Sequence, residues 1–328
     1  MLVRQLSYFV TLAREGHFAR AAQTCNIAQP TLSAAIRKLE EDLQAQLVVR
    51  GKRFVGLTPE GERVLIWGRQ ILADYDSLLQ DLTGTRKSLA GTLKLGVIPA
   101  AMPSVALISD DFTAAHPKAQ IDIVSMTSRA IERALDAFEI DGGITYLDSE
   151  PIERVRRIPL YHERFVFMAK RGHRFGERSS VTWREAARER LCLLGGEMQN
   201  RRIIDRVAQA AGAAMAPVVT SNSFLGLCAH LRHGGWAGIV PDTFLYVFGG
   251  TPDLFAVDLI EPRQEQSIGL VLSQRDPASP MAEALLACLK DVDFETRLRQ
   301  GIRQMSSTAA IDHSKTFIGF PGTATQVS

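Results

Sequence analysis

The sequence has little cysteine and no long apolar segment, and each shortage excludes a class of protein. Its four cysteines, Cys25, Cys192, Cys228 and Cys288, are widely spaced and form no Cys-x-x-Cys motif. A disulfide scaffold is therefore excluded, and unpaired thiols are typical of a reducing cytosol. The apolar runs stop well short of the roughly 18 residues that span a bilayer. Because the start also lacks the features of a secretory signal, we predict a cytosolic protein with no membrane partner.

The sequence also lacks an excess of charge of one sign, since 38 basic and 36 acidic residues leave a net charge of +2. Over the whole chain, this balance argues against nucleic-acid binding unless positive charge is concentrated locally. Residues 18–57 do concentrate it, with six basic residues against three acidic ones, Glu40, Glu41 and Asp42. Composition is otherwise ordinary for a globular protein, with 46% hydrophobic residues among 328.

Changes of pattern along the chain predict four segments. Residues 1–58 carry short helical patterns, and residues 59–90 carry a single long one. Residues 91–300 alternate strands and helices, which predicts an α/β domain of two lobes with a mostly parallel sheet. The chain is expected to cross between the lobes near residues 162 and 266. Residues 301–328 are rich in Ser, Thr, Gly and Ala without periodicity and are predicted to be disordered.

The helix that opens at Gln29 has two distinct faces. Leu32, Ile36 and Leu39 form one apolar stripe, so polar residues spaced four apart project from another face. A preceding short helix and a tight connection at residues 26–28 complete the pattern of a helix-turn-helix, which presents such a face to the major groove. An ordinary three-helix bundle with solvated polar faces is the alternative. The predicted DNA-contacting residues are Arg20, Gln29, Pro30, Thr31, Ser33, Arg37, Lys38, Arg50 and Arg53.

These residue types suit DNA recognition. Glutamine at position 29 can pair bidentately with adenine, and the hydroxyls of Thr31 and Ser33 can bond base edges or phosphate. Arg37 and Lys38 can reach phosphates. Two short β-like runs, 47–50 and 53–57, follow the helix and predict a hairpin that carries Arg50 and Arg53.

The long helix predicted from Pro59 has a heptad pattern. Val64, Ile71 and Leu78 recur seven apart, and a second apolar series one residue later widens the stripe. Three heptads favour a dimerising helix, although Gly68 is expected to weaken one seam position. A single helix that packs on its own domain is the alternative.

Three loops of the α/β domain are expected to contact a ligand. In such domains ligands bind outside the carboxyl ends of strands, where the N-termini of helices point inward. The loops at 99–104, 127–128 and 222–223 fit that position, and their hydroxyl, amide and N–H groups suit a small anion such as a carboxylate. Each Ser or Asn could instead serve only as a helix cap. The predicted effector-binding residues are Ala100, Met102, Ser104, Thr127, Ser128, Asn222 and Ser223.

A set of motifs in fixed order resembles the LysR-type transcriptional regulators. In the first 61 residues they are Leu6-x-x-Phe9, Phe18-x-Arg20-Ala21-Ala22, Gln29-Pro30-Thr31-Leu32-Ser33, Ile36-x-x-Leu39-Glu40, Leu47-x-x-Arg50 and Leu57-Thr58-x-x-Gly61. Later landmarks are Gly91-Thr-Leu-Lys-Leu-Gly-Val, Val181-Thr-Trp183 and the segment 234–241. The likeness covers about residues 1 to 295. Each fragment alone is common, and the combined order and spacing are specific.

The resemblance implies a winged helix-turn-helix at 1–58, a dimerising linker helix at 59–90 and, at 91–300, a two-lobed effector domain similar to periplasmic binding proteins. It further implies that a small-molecule effector binds between the lobes and changes how a homodimer or homotetramer bends double-stranded promoter DNA, with RNA polymerase as a further partner. Ala34 and Ala35 replace residues that are often polar or basic in the family, so they are expected to contribute fewer DNA contacts.

An enzyme and a solute-binding protein are the competing classes. No GxSxG, HExxH, Walker or GxGxxG motif occurs in a suitable context, so we predict neither catalytic residues nor a cofactor. Cys228 and His230 lie two apart on a predicted helix and point about 200° away from each other, which argues against a metal site with His233. A cytosolic solute-binding protein would share the two lobes but not the N-terminal helix-turn-helix.

Overall fold

The structure, a computed structural model, describes residues 2–50, 54–84, 89–248, 253–275, 277–290 and 292–300. The chain divides into two units. The first unit contains the chain up to Ile98, Ile108–Pro159 and Gly269–Val292, and the second contains Pro99–Leu107, Leu160–Ile268 and the segment that begins at Asp293. The segment 301–328, which was predicted to be disordered, lies outside the described residues.

Three helices and a hairpin form the N-terminal module. They are α1 (Leu2–Glu15), α2 (Phe18–Thr24), α3 (Gln29–Leu43), β1 (Val48–Arg50) and β2 (Phe54–Leu57). The apolar stripes of the helices meet in one core, in which Phe9, Leu32 and Ile36 are fully buried. Asn26 lies in the turn between α2 and α3 in the left-handed conformation, which asparagine tolerates better than most residues. The module is a winged helix-turn-helix, as predicted.

One long helix, α4 (Pro59–Gly84), follows the hairpin. Its first turns pack on the N-terminal module, with Leu65 buried and Leu72 partly buried against the core. A Cβ atom at Gly68 would lie 3.4 Å from a side-chain carbon of Leu6, so Gly68 faces α1. Gly68 thus lies on the face of α4 that packs on α1, at ordinary van der Waals distance, and its effect on a coiled-coil seam stays a prediction.

The rest of the chain alternates strands and helices. In chain order the elements are β3 (Gly91–Val97), α5 (Val105–Ala115), β4 (Ala119–Ser125), α6 (Ser128–Asp136), β5 (Gly142–Tyr146), β6 (Val155–Lys170), β7 (Ser180–Thr182), α7 (Trp183–Ala186), β8 (Cys192–Leu194), α8 (Gln199–Ala210), β9 (Val219–Ser221), α9 (Phe224–His233), β10 (Ala237–Pro241), α10 (Leu245–Phe248), β11 (Leu254–Ile260), β12 (Glu265–Ser273) and α11 (Pro280–Leu289). Short 3₁₀ turns occupy Pro99–Ser104 and Asp242–Phe244.

The two units differ in how their strands pair. In the first unit β3 runs parallel to both β4 and β5, as predicted. In the second unit β6 pairs antiparallel with β10 and β11, whereas β7 runs parallel to β11 and β8 runs parallel to β9, so the strands there are mixed rather than mostly parallel. The sequence pattern does not mark either partner as a strand: β10 is a five-residue apolar run, which periodicity alone does not assign, and β11 is a seven-residue segment that is mostly buried.

The long strands β6 and β12 continue from one unit into the other. The divisions fall between residues 159 and 160 and between residues 268 and 269. The α/β class with an N-terminal winged helix-turn-helix is confirmed. Within the described residues, no helix is both long and apolar enough to cross a membrane.

Candidate nucleic-acid interface and effector loops

The polar face of α3 points into solvent. Its residues Gln29, Pro30, Thr31, Arg37 and Lys38 are exposed, and Ser33 is partly buried. Leu32, Ile36 and Leu39 on the opposite side have no exposed surface. Ala28 precedes the helix, and its methyl side chain cannot cap the first N–H groups, which leaves that end open to an anion. The spacing inferred from the sequence therefore produces one continuous polar face.

The basic residues near this face differ in whether they bind other groups of the protein. Lys38 Nζ lies 2.8 Å from a carboxylate oxygen of Asp42, and the hydrogen bond and charge of Asp42 raise the pKa of Lys38. Arg20 donates to the carbonyl oxygen of Glu15 at 2.6 Å. Arg37 is exposed and has no ion pair with any described residue. Arg37 is thus the basic side chain most available to a phosphate.

The wing, which is the hairpin of β1 and β2, was predicted to carry two of the DNA-contacting residues. Arg50 is the last residue of β1, where it lies opposite Phe54 in a register that shifts between Val49 and Arg50. Arg53 lies outside the described residues.

A buried carboxylate joins α3 to the wing. Glu40 has only 4% of its surface exposed, and its Oε1 accepts hydrogen bonds from the backbone N–H groups of Leu47 and Val48 at 3.0 and 3.2 Å. Its position in the sequence, beside Glu41 and Asp42, does not indicate this burial. The side chain turns inward and satisfies two buried donors at the start of β1.

The start of α4 is fixed to the same segment. Thr58 Oγ1 accepts a hydrogen bond from the N–H of Gly61 at 2.9 Å and donates to the carbonyl oxygen of Gln46. A Cβ atom at Gly61 would lie 2.1 Å from the carbonyl oxygen of Leu47, which only glycine avoids. The spacing Thr58-x-x-Gly61 is thus explained by one helix cap and one close approach of two backbones.

Of the predicted effector residues on the 3₁₀ turn, two are buried. Ala100 and Ser104 are almost completely inaccessible, whereas Met102 is exposed. Ser104 Oγ donates to the carbonyl oxygen of Ala101 at 2.8 Å and lies 3.2 Å from Tyr161 Oη. Burial raises the pKa of Tyr161 well above its ordinary value, so its hydroxyl stays protonated. Ser104 therefore forms part of a closed hydrogen-bond network in the second unit.

The second predicted loop lies in the first unit. Thr127 caps α6, since its hydroxyl accepts a hydrogen bond from the N–H of Ala130 at 3.2 Å. Ser128 is buried, and its Oγ accepts a hydrogen bond from Thr145 at 3.2 Å. Both residues thus have structural partners in addition to the ligand role predicted for them.

The third loop is the most open. Asn222 and Ser223 are exposed at the start of α9, and Ser223 precedes that helix without a side-chain cap. The hydroxyl of Ser221 instead accepts the N–H of Ser223 at 3.1 Å. The side chains of Asn222 and Ser223 are consequently accessible to a ligand.

A further segment of the second unit, not predicted from the sequence, contacts the loop at 99–104 and the start of α9. The 3₁₀ turn Asp242–Phe244 contacts the turn Pro99–Ser104. The ring centroid of Phe244 lies 4.1 Å from that of Phe224, the residue that follows Ser223. Thr243 is fully buried, and its Oγ1 has no hydrogen-bond partner among the described residues. No sequence motif marked Thr243; only the tertiary contact reveals it.

Comparison with known proteins decides the family. Residues 3–62 match the profile of the bacterial regulatory helix-turn-helix proteins of the LysR family, and residues 86–293 match the LysR substrate binding domain. The chain belongs to the LysR family.

LysR-type relatives align along most of the chain. The DNA-binding transcriptional dual regulator OxyR of Escherichia coli strain K12 is 26% identical over 310 residues, which is 92% of this chain and all of OxyR. The SDS degradation transcriptional activation protein of a Pseudomonas species is 29% identical, over 90% of this chain and 97% of its own length. Each is named as a regulator of transcription.

Solved LysR structures show the same fold. A full-length OxyR variant from Pseudomonas aeruginosa has a TM-score of 0.70 at 23% identity and covers 89% of this chain and 98% of its own. CbnR in complex with its target DNA has a TM-score of 0.63 at 20% identity and covers 88% and 99%. This LysR chain is therefore a DNA-binding transcriptional regulator with a helix-turn-helix and an effector-binding domain. The relatives are regulators, which are not enzymes, so neither competing class is favoured.

Proposed function

We propose that this LysR-type regulator reads its operator with the exposed face of α3, binds DNA as a homodimer or homotetramer, and responds to a small organic anion. One observation carries the reading role. Gln29, Ser33 and Arg37 lie four residues apart on an accessible face, while the buried stripe of the same helix is fixed in the core. A helix held in this way can present three successive turns to a major groove.

The proposed division of labour separates sequence reading from phosphate binding. Gln29 discriminates bases, and Thr31 and Ser33 bond base edges or phosphate. Arg37 and Lys38 neutralise phosphates, with Arg20, Arg50 and Arg53 as flanking contacts. Lys38 has to leave Asp42 to do so, and its contribution is expected to be smaller than that of Arg37.

Salt dependence tests phosphate binding directly. The affinity of the full chain for the DNA upstream of its own gene is expected to fall steeply as salt rises, because bound cations release counterions from DNA. Arg37→Ala should reduce the slope of log affinity against log salt by about 1. Lys118→Ala, an exposed lysine of the effector domain, is the matched control and should leave the slope unchanged. An unchanged slope in Arg37→Ala would contradict the assignment.

An exposed apolar stripe on α4 supports self-association. Trp67, Ile71, Tyr75, Leu78 and Leu82 recur at spacings of four, four, three and four, and every one of these side chains is at least 40% exposed. This spacing places them on one narrow face, distinct from the face that packs on α1, and matches the seam of a coiled coil. We propose that a second copy of the chain covers this stripe.

Sedimentation of the full chain tests the stripe. The wild type is expected to sediment as a dimer or tetramer, and Leu78→Glu with Ile71→Glu should shift it toward the monomer. Glu60→Ala with Glu62→Ala, at the start of the same helix, is the control and should leave the mass unchanged. A double variant that keeps the full mass would contradict the proposal.

The effector is proposed to bind reversibly and without thiol oxidation. Several relatives are named hydrogen peroxide-inducible genes activators, but burial raises the pKa of Cys192, Cys228 and Cys288, that of Cys228 to about 11. The thiolate is the reactive form, and these groups remain thiols at neutral pH. In a Cys25→Ala variant, which removes the partly buried cysteine of the N-terminal module, treatment with hydrogen peroxide is therefore expected to leave DNA affinity unchanged.

We propose a small carboxylate as the effector, and its contacts are the residues predicted from the sequence on the loops at 99–104, 127–128 and 222–223. Asn222, Ser223 and Met102 are its accessible candidates. Ala100 and Ser104 shape the first of the predicted loops, and Thr127 and Ser128 shape the second. A thermal-shift screen of small organic acids against the full chain is expected to find a compound whose stabilisation grows with the logarithm of its concentration and is lost in Asn222→Ala with Ser223→Ala. We further propose a cytoplasmic protein without enzymatic activity that contacts RNA polymerase at its promoters.

A further inference from the structure

A cavity of about 450 Å³ lies entirely within the first unit, apart from every effector loop. One wall is α4, and the other walls are the start of β3, the segment 138–141, the start of β6, the end of β12 and the start of α11. None of the residues predicted to contact the effector lines it. Its volume is sufficient for a small metabolite.

The α4 wall is held against the effector domain by Arg275. This side chain is only 12% exposed, and its guanidinium donates to Ser77 Oγ at 2.9 Å and lies 3.7 Å from Asp74 Oδ1. Its Cζ also lies 5.7 Å from the ring centroid of Phe138. Two residues of α4 are thus tied to one residue that follows β12, so the cavity has a defined wall.

Most charged groups around the cavity are already engaged within the protein. The pairs are Arg69 with Glu139, Arg156 with Glu283, Asp141 with Ser279, and Arg275 with Asp74. Lys94 and Asp76 are different: both line the cavity, and neither side chain has a hydrogen bond or ion pair with a described residue. Lys94 belongs to β3 and Asp76 to α4, so a cation and an anion are available on separate walls.

Apolar surface completes the lining. Ile140 and Leu272 are buried, and Phe138 is partly buried. A ligand that fits this lining carries a carboxylate for Lys94, an ammonium group for Asp76 and an apolar stretch between them.

We propose that this cavity is a second ligand site that takes a small zwitterion with separated charges. Since α4 is one of its walls and also carries the exposed apolar stripe, a bound zwitterion joins the helix to the effector domain. Ligand occupancy then restrains the helix relative to the strands and helices of the first unit that form the other walls, which couples this site to DNA binding without involving the effector loops.

Three compounds of equal chain length test the charge requirement on the full protein. By isothermal titration calorimetry, 6-aminohexanoate is expected to bind at least tenfold more tightly than hexanoate, which lacks the ammonium group, and hexylamine, which lacks the carboxylate. Absence of saturable 6-aminohexanoate binding, or equal binding of all three compounds, would overturn the proposal.

Two variants locate the binding. Lys94→Met and Asp76→Asn should each weaken 6-aminohexanoate binding at least tenfold, because each removes one charge that the probe uses. Both side chains are exposed, so folding is expected to be preserved, and circular dichroism checks this. The controls Lys118→Met and Asp122→Asn remove the same charges from exposed positions outside the cavity and should bind as the wild type does. Undiminished binding in the cavity variants, or binding lost in Ser223→Ala, would overturn the proposal by placing the probe elsewhere.

Discussion

The DNA-reading module and the effector domain hold their polar side chains in different ways. On α3, Gln29 and Arg37 extend from a helix whose opposite face is buried, so they are both accessible and fixed in direction. In the effector domain Ser104 and Ser128 are buried and bonded to Tyr161 and Thr145. The module is organised to present polar groups to a large ligand, whereas the effector domain uses many of its hydroxyls to set the shape of loops.

The largest expected effect tests whether the module depends on a buried polar contact of its own. Glu40→Ala should destabilise the protein by about 3 kcal/mol, because the N–H groups of Leu47 and Val48 lose their acceptor in a buried environment. Urea unfolding measures the loss, and DNA affinity should fall with it. Glu41→Ala, an exposed neighbour, should change stability by no more than about 0.5 kcal/mol. Equal losses of stability in Glu40→Ala and Glu41→Ala would contradict the stabilising role of the buried carboxylate.

A second change targets the backbone approach between the wing and α4. Gly61→Ala should cost about 2 kcal/mol, since its Cβ would lie 2.1 Å from the carbonyl oxygen of Leu47 and the backbone would have to move. The matched control is Gly56→Ala in β2, where a Cβ meets no atom within 4 Å. Thermal unfolding compares the two, and a Gly61→Ala protein as stable as the control would contradict the close approach.

In the effector domain, one residue that was predicted to contact the effector is expected to stabilise the fold. Ser104→Ala should cost about 1.5 kcal/mol in the free energy of unfolding, because it removes the hydrogen bonds to Ala101 and Tyr161. Ser223→Ala, at an exposed position, should leave stability unchanged. Denaturant unfolding without any effector distinguishes them, and a Ser104→Ala protein of wild-type stability would show that the hydroxyl is held for a ligand instead.

The smallest effect concerns the start of α7. Glu185 and Thr182 cap this helix reciprocally, and hydrogen bonds from Arg178 and Thr182 lower the pKa of Glu185 to about 2. A lowered pKa stabilises the folded state above about pH 4.5, and this contribution is lost as the pH falls toward 2. Glu185 is one-third exposed, so Glu185→Ala should cost only about 1 kcal/mol at neutral pH.

The pH dependence supplies the measurement. The stability difference between the wild type and Glu185→Ala should shrink as the pH is lowered from 5 to 2, while DNA binding at neutral pH stays the same. Glu177→Ala, at an exposed position, controls for the loss of one negative charge. A difference that grows toward low pH would contradict the sign of the pKa shift.

More of the DNA-reading module than of the effector domain could be predicted from the sequence, and the cause is physical. The orientation of Gln29 and Arg37 follows from helix periodicity, which is local. The inward turn of Glu40 and the packing of Gly68 on α1 depend on neighbours distant in sequence, and no periodicity encodes them. The antiparallel partners of β6 were missed for the same reason.

The effector loops show the same limit. Their positions after strands and before helices were evident from the alternation of patterns. Whether a hydroxyl is exposed, as at Ser223, or enclosed, as at Ser104, is decided by residues such as Tyr161, which lies 57 positions away in the chain. The unpartnered hydroxyl of Thr243 and the cavity beside α4 are likewise products of tertiary packing.

The most direct test of the account is the ratio of affinities of the full chain for its own upstream DNA and for random DNA. Gln29→Ala should lower this ratio by about 10- to 100-fold, because one bidentate base contact is worth about 1–3 kcal/mol. Its affinity for random DNA should be preserved, whereas Arg37→Ala should weaken binding to both DNAs together. A Gln29→Ala protein that keeps the wild-type ratio would contradict the claim that the exposed face of α3 reads the operator.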